Sequence, residues 1–165
     1  MAIWAHNSHL GDASATEMAD RAEWNVGQLL RRRYAEDAVL VGFSTHHGWV
    51  TAASNWDEPP QSMRVRAGLP GSWEDVFHLT GTADFLLPLR SNAALRTLVA
   101  APRLQRAIGV IYRPDTERQS HYFRTRLAGQ FDALIHLDET TALEPLDRDA
   151  SWNPHEAPET FPSGM

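Results

Sequence analysis

Three apolar runs constrain the fold most: Ala38–Phe43 (AVLVGF), Ala107–Tyr112 (AIGVIY) and Phe131–Leu137 (FDALIHL). A strand with one wet face alternates apolar and polar residues. A continuous run needs cover on both faces, as strands of a parallel sheet have. A further run, Ala2–Ala5, stands at the start of the sequence and feeds directly into His6 and His9. Nothing in the sequence precedes it that would cover its faces, so the chain reads as the second part of a larger unit. Asp84–Leu89 is a weaker strand, demoted to an edge by Pro88. Trp49–Ser54 reads as a short strand or a loop.

Helical patterns lie between these runs. Glu23–Ala35 puts Val26, Leu29, Leu30 and Tyr34 on one stripe, with Arg31, Arg32 and Arg33 near its end, where cations suit the helix dipole. Ser72–Leu79 opens with a Ser-x-x-Asp cap and turns Trp73, Val76 and Phe77 inward. Asn92–Ala101 carries Leu95, Leu98 and Val99 and stops before Pro102. Glu117–Leu127 is a further helix candidate. Strands alternating with helices predict an α/β domain: a largely parallel sheet flanked by helices in three layers, and incomplete. Residues 1–146 form that domain. From about Thr140 the composition turns to Asp, Glu, Pro, Ser and Asn, and residues 147–165 read as a mobile Pro-rich tail.

Composition excludes several chemistries. The 165 residues contain no cysteine, so no disulfide, thiolate nucleophile or Cys-type zinc site is available. A net charge of −6 argues against a nucleic-acid partner. All 15 basic residues are arginine, which removes lysine Schiff-base and general-base chemistry. No apolar stretch has the length of a membrane span, and no secretory signal is visible, so the cytoplasm is the default compartment. The Gly-x-Ser-x-Gly elbow, the P-loop, the dinucleotide glycine fingerprint and His-Glu-x-x-His are all absent.

Polar residues gather at the carboxyl ends of the expected strands, where parallel sheets bind ligands. His6 and His9 follow the first strand. On a loop or a first helical turn they converge, and Gly11 and Asp12 favour the loop. Together they suit a general base and an oxyanion donor, or a pair that orients a substrate carbonyl. With Asp12 as a third ligand they also suit a metal, and the plainer alternative is a backbone hydrogen bond. His46 and His47 follow the second strand; adjacent side chains on extended backbone point apart, so at most one enters a crevice. Arg113 follows the third strand and suits clamping a carboxylate or polarising a carbonyl, or else an ion pair with Asp115 or Glu117. Asp138 and Glu139 follow the fourth. His121 either faces the crevice or serves stability, and His136 reads as a satisfied core residue. The six tryptophans read as packing or lid residues.

The stretch Trp4-Ala5-His6-Asn7-Ser8-His9-Leu10-Gly11-Asp12 resembles the WAHNxHxGD signature of the erythromycin esterase family. The resemblance continues, in order, through Asn25–Leu30, Val41–Gly48, Ile108–Pro114, Glu117–Phe123 and Phe131–Thr140. It covers the C-terminal portion of longer family proteins. It implies an α/β fold and hydrolysis of an ester, in characterised members the macrolactone of macrolide antibiotics in bacterial resistance, by histidine-activated water and without an obligatory metal or other cofactor. His6 and His9 match two family histidines implicated in activity. The family's principal base and its glutamate partner lie outside the matched portion and have no counterpart in this sequence. The resemblance therefore implies His6 and His9 as catalytic residues and a small ester or lactone as the ligand; beside it, the crevice positions of His46, Arg113 and His121 read as substrate-binding. The chain is then inactive without a complementing N-terminal half. Competing readings are a non-catalytic binding or self-associating module, with a homo-oligomer as partner, and a metal hydrolase on His6, His9 and Asp12. Neither a nucleic acid nor a membrane is an expected partner.

Overall fold

A computed structural model describes residues 1–144. The tail expected over 147–165 lies outside the described residues. The central sheet has four strands in the order β2-β1-β6-β3, with β1 at Val41–Ala52, β2 at Gln61–Val65, β3 at Asp84–Leu87 and β6 at Ala133–Thr140. Among the strands of this sheet in the described residues, β1 and β6 run parallel, and β2 and β3 pair antiparallel with them. The sheet is therefore mixed, not largely parallel. The apolar runs marked β1 and β6 as strands, but their composition carries no direction, and the expected cover on both faces fails at β1, where Val41 and Phe43 are exposed. The two neighbours that set the mixed character are edge strands with weak or no apolar patterning.

β1 is the organising strand. Its first half pairs with β6 (Val41 opposite Ala133, Thr45 opposite Leu137), and from Gly48 it pairs with β2 (Gly48 opposite Val65). Gly48 takes φ of 119°, and a Cβ there would sit 2.1 Å from the Thr140 carbonyl oxygen. Only glycine meets both conditions.

The helices are short. α1 spans Asn7–Leu10, α2 Val26–Tyr34, α3 Trp73–His78, α4 Ala93–Leu98, α5 Glu117–Ser120 and α6 Leu127–Gln130. Ser72 caps α3 by accepting from Asp75 N, and Asn92 caps α4 through Leu95 N, which satisfies donors that a helix start leaves open. Leu40, Trp73, Phe77, Leu89, Phe131 and Leu134 are buried in one core. Asp132 ties its edge: one carboxylate oxygen accepts from Leu40 N and Arg31, the other from Arg90.

Other expected elements differ. Ala2–Ala5 is extended but joins no sheet, and Trp4 is 90% exposed, with its ring against Phe43. The third expected strand moves upstream: β4 is Arg103–Arg106, and residues 107–112 contribute only an isolated bridge from Ile111 to Ala53. Val110 is exposed there, so the run is not covered on both faces. The expected helix 117–127 breaks into α5 and then β5, Tyr122–Thr125, which pairs antiparallel with β4. Tyr122, Phe123 and Thr125 favour the pleated sheet and override the helical stripe.

Arg106 joins the β4–β5 ribbon to the main sheet. Its guanidinium donates to Glu117 Oε1 at 3.0 Å, to the Arg66 carbonyl at 2.7 Å, and to the Thr45 and His46 carbonyls at 2.8 Å each. Both side chains of the Arg106–Glu117 pair are almost fully buried. Removing one partner strands a charge in low dielectric. Glu117→Ala is therefore expected to cost about 3–5 kcal/mol in urea denaturation, whereas the surface change Glu23→Ala stays within about 1 kcal/mol.

Candidate active site

His6 and His9 sit on a single helical turn, not the loop that Gly11 and Asp12 suggested. His6 is the N-cap of α1 and His9 lies in its last turn. The i, i+3 spacing brings the rings together, with centroids 6.3 Å apart. Two asparagines fix this turn. Asn7 donates to the Phe43 carbonyl at 2.5 Å and accepts from Phe43 N at 3.1 Å, so its carboxamide occupies the unpaired edge of β1 as a strand would. Asn25 caps α2 through Gln28 N and donates to the Ser8 and Gly11 carbonyls. α1 and α2 touch closely, for a Cβ on Gly27 would lie 2.1 Å from the Leu10 carbonyl oxygen.

The His6 ring has a defined tautomer. Its Nε2 lies 2.9 Å from the Ile108 carbonyl, which can only accept, so Nε2 carries the proton. Nδ1 is then the basic nitrogen, and it accepts from Ser8 Oγ at 2.8 Å. Burial lowers the His6 pKa below its ordinary value, partly offset by the Ile108 carbonyl, and His9 and His121 lower it further. The ring is thus neutral at pH 7. It lines an open cleft of about 900 Å³ whose walls are mostly apolar, among them Trp4, Leu40, Phe43 and Ile108.

The expected substrate-binding residues do not join this turn. His121 accepts from Arg113 N at Nε2 (2.9 Å) and its Nδ1 donates to the Ala107 carbonyl (3.2 Å), so both ring nitrogens serve backbone. That network holds residues 107–113, and with them the Ile108 carbonyl. Arg113 turns its guanidinium to the Ser54 carbonyl and Asn55 Oδ1, away from Asp115 and Glu117. His46 leaves the cleft altogether and packs against His47 and His78.

His46 and His47 do not point apart. Their Nδ1 atoms are 3.1 Å from each other, beside the backbone bend at Gly48. The rings of His46 and His78 stack at 3.8 Å, and His78 Nδ1 is 2.9 Å from both oxygens of Asp138. Ligand atoms of His46, His47, His78 and Asp138 all lie within 4.8 Å of one another. Asp12, considered as a third ligand with His6 and His9, instead caps a 3-10 turn by accepting from Ser14 N and Oγ. His136 is fully buried, as a satisfied core residue should be, bonded to Ser44 Oγ and Asp138. Sequence reasoning passed over His78, Arg106 and Ser8; nothing local distinguishes His78 from any helix-end histidine.

Fold and site together define a mixed α/β domain in which His6 lines an apolar cleft and His9 stands on the same helical turn, outside that lining. The chain belongs to the erythromycin esterase family, whose sequence model matches residues 1–140. Membership places it in a hydrolase-like family. It is similar to a succinoglycan biosynthesis protein solved at 1.7 Å, with a TM-score of 0.67 and 25% identity, over 84% of this chain and 32% of that one. It shares its fold with a Bacillus cereus protein at a TM-score of 0.67 and 21% identity, over 84% of this chain and 33% of that one. The chain spans about a third of the length of the solved structures it matches.

The lowered pKa values have a stability consequence. His6 and His121 are both held below the ordinary 6.5, in each case mainly by burial. The unfolded chain therefore binds more protons than the folded one below about pH 6.5. The stabilisation is fully present above that pH and falls as pH drops toward the folded-state values. Urea midpoints are expected to hold steady from pH 8 to 7 and to decline below about 6.5; a midpoint that rises on acidification contradicts the assignment.

Proposed function

We propose that this chain supplies one wall of the active-site cleft of a carboxylic ester or lactone hydrolase acting on a macrolide-type substrate in the cytoplasm. The observation that carries the reading is the His6 ring, neutral, with its tautomer fixed by the Ile108 carbonyl, lining an apolar cleft while its basic nitrogen is held by Ser8. Attacking water takes the place of the Ser8 hydroxyl at Nδ1 and is oriented there. His9 donates to the ester carbonyl oxygen as negative charge develops on it. Water oxygen bonds to the carbonyl carbon, the alkoxide leaves, and the two protons of water end on the acid and the alcohol. The principal base comes from a further length of chain or from a second polypeptide, in keeping with relatives three times as long. The apolar walls suit a large lactone ring.

The test is complementation. The chain is mixed with the remaining part of a longer relative, and hydrolysis of p-nitrophenyl esters and macrolide lactones is followed. Cleavage is expected in the mixture. His6→Ala and His9→Ala are each expected to lower kcat/KM by about 10²–10⁴-fold with folding retained. No cleavage where the intact relative is active, or losses within a few-fold, refutes the reading.

One observation favours a second reading as a self-associating module. Ile3, Trp4, Val41 and Phe43, which line the cleft, form an exposed apolar set. Sedimentation over a range of concentrations separates the two: the module dimerises alone, whereas the hydrolase wall becomes monodisperse only with its complement.

A further inference from the structure

The cleft and the esterase reading leave one group of side chains unused. His46 and His47 on β1, His78 on the last turn of α3 and Asp138 on β6 converge although none of them lines the cleft. Phe43, which faces Trp4, and His46 are three apart on one strand and so fall on opposite faces of the sheet. We propose that these four residues form a site for a divalent transition metal of the zinc class.

The donor set is three imidazoles and one carboxylate, which zinc takes in tetrahedral geometry and which hard cations such as magnesium and calcium do not favour. Ligand atoms around a tetrahedral zinc stand roughly 3.3 Å apart, given bonds of about 2.0–2.1 Å. Two pairs of donor atoms lie near this spacing, His46 Nδ1 with His47 Nδ1 at 3.1 Å and His78 Nδ1 with Asp138 Oδ1 at 2.9 Å. The whole set closes by less than about 2 Å from its present 4.8 Å span, and the His78 ring turns out of its stack on His46 as it does so, because a metal lies in the plane of each imidazole that binds it. His78 is exposed on a helix end, so it has room to make that adjustment.

An outer layer orients the donors. Ser44 Oγ bonds to His136 Nδ1 at 2.9 Å, and the fully buried His136 reaches Asp138 Oδ1 through Nε2 at 3.3 Å, a chain aimed at the carboxylate. Arg106 pins the Thr45 and His46 carbonyls from below. Four protein ligands leave no open position, so the metal clasps the end of α3 to β1 and β6 and takes no part in the hydrolytic step.

The full chain, stripped with a chelator, is titrated with Co²⁺ while its visible absorption is followed, and Zn²⁺ is then added in competition. One equivalent is expected to give the strong ligand-field bands of four-coordinate cobalt, and Zn²⁺ to abolish them. Zn²⁺ at a hundredfold excess over Kd is expected to raise Tm by about 5–10 °C. His78→Ala and Asp138→Asn should each weaken binding by more than about 100-fold, and Ser44→Ala by about tenfold. His78 is exposed and its replacement leaves the core untouched, so loss of binding there is not loss of folding. His6→Ala should bind as the parent does. Absence of the bands, binding that survives both ligand substitutions, or binding lost with His6 overturns the proposal. None of these outcomes depends on ester hydrolysis.

Discussion

The guanidinium of Arg106 is the interaction on which the arrangement rests. A buried charge costs several kcal/mol unless it is paired and hydrogen-bonded, and here it is both. Glu117 supplies the counter-charge and also accepts the Tyr112 hydroxyl, whose pKa is pushed up to about 12, mainly by burial. The remaining donors go to three backbone carbonyls, from Thr45, His46 and Arg66. Its own amide donates to Glu74, a fully buried acid whose pKa burial raises despite that bond. One side chain thereby locks β1 at the point where its two faces diverge toward different groups of histidines.

The two groups follow different physical rules. At α1 the helical period delivers His6 and His9 to one side, and backbone groups fix the tautomer. On β1 and β6 the strand period delivers Ser44 with His46, and His136 with Asp138, to the face that α3 covers. His47 joins them because the strand bends at Gly48. A carboxylate among three imidazoles keeps its pKa low: burial works against ionisation, but the bonds from His78 and His136 outweigh it.

What the sequence made legible is what depends on local pattern. The Ser72 cap, the span of α2, the strands β1 and β6, the edge strand closed by Pro88 and the pairing of His6 with His9 all rest on short-range spacing, whereas the apolar stripe of α2 does not become a buried face, since Val26, Leu29 and Tyr34 are exposed. Direction of strand pairing does not, and the mixed sheet follows from neighbours, β2 and β3, whose own residues carry little signal. The apolar run at residues 107–112 predicts a strand, whereas Gly109 and exposed Val110 leave it irregular. Residues 117–127 misled because helix spacing and sheet propensity coincide there, and pairing with β4 decided the outcome. His121 and Arg113 follow the right segment, yet their side chains are spent on backbone and on a turn. The meeting of His78 with His46 and Asp138 depends on three elements far apart in the chain, which no single-segment reading brings together.

The Asn7 carboxamide has a consequence for assembly. It fills the two main-chain valences of Phe43 that an adjoining strand would otherwise claim. An incoming polypeptide that zipped onto this rim would have to evict the amide first. The eviction would cost the turn bearing both imidazoles one of its moorings and leave Asn25 and the Ile108 carbonyl to hold it. Growth of the sheet at that rim therefore competes with firm presentation of the histidine pair.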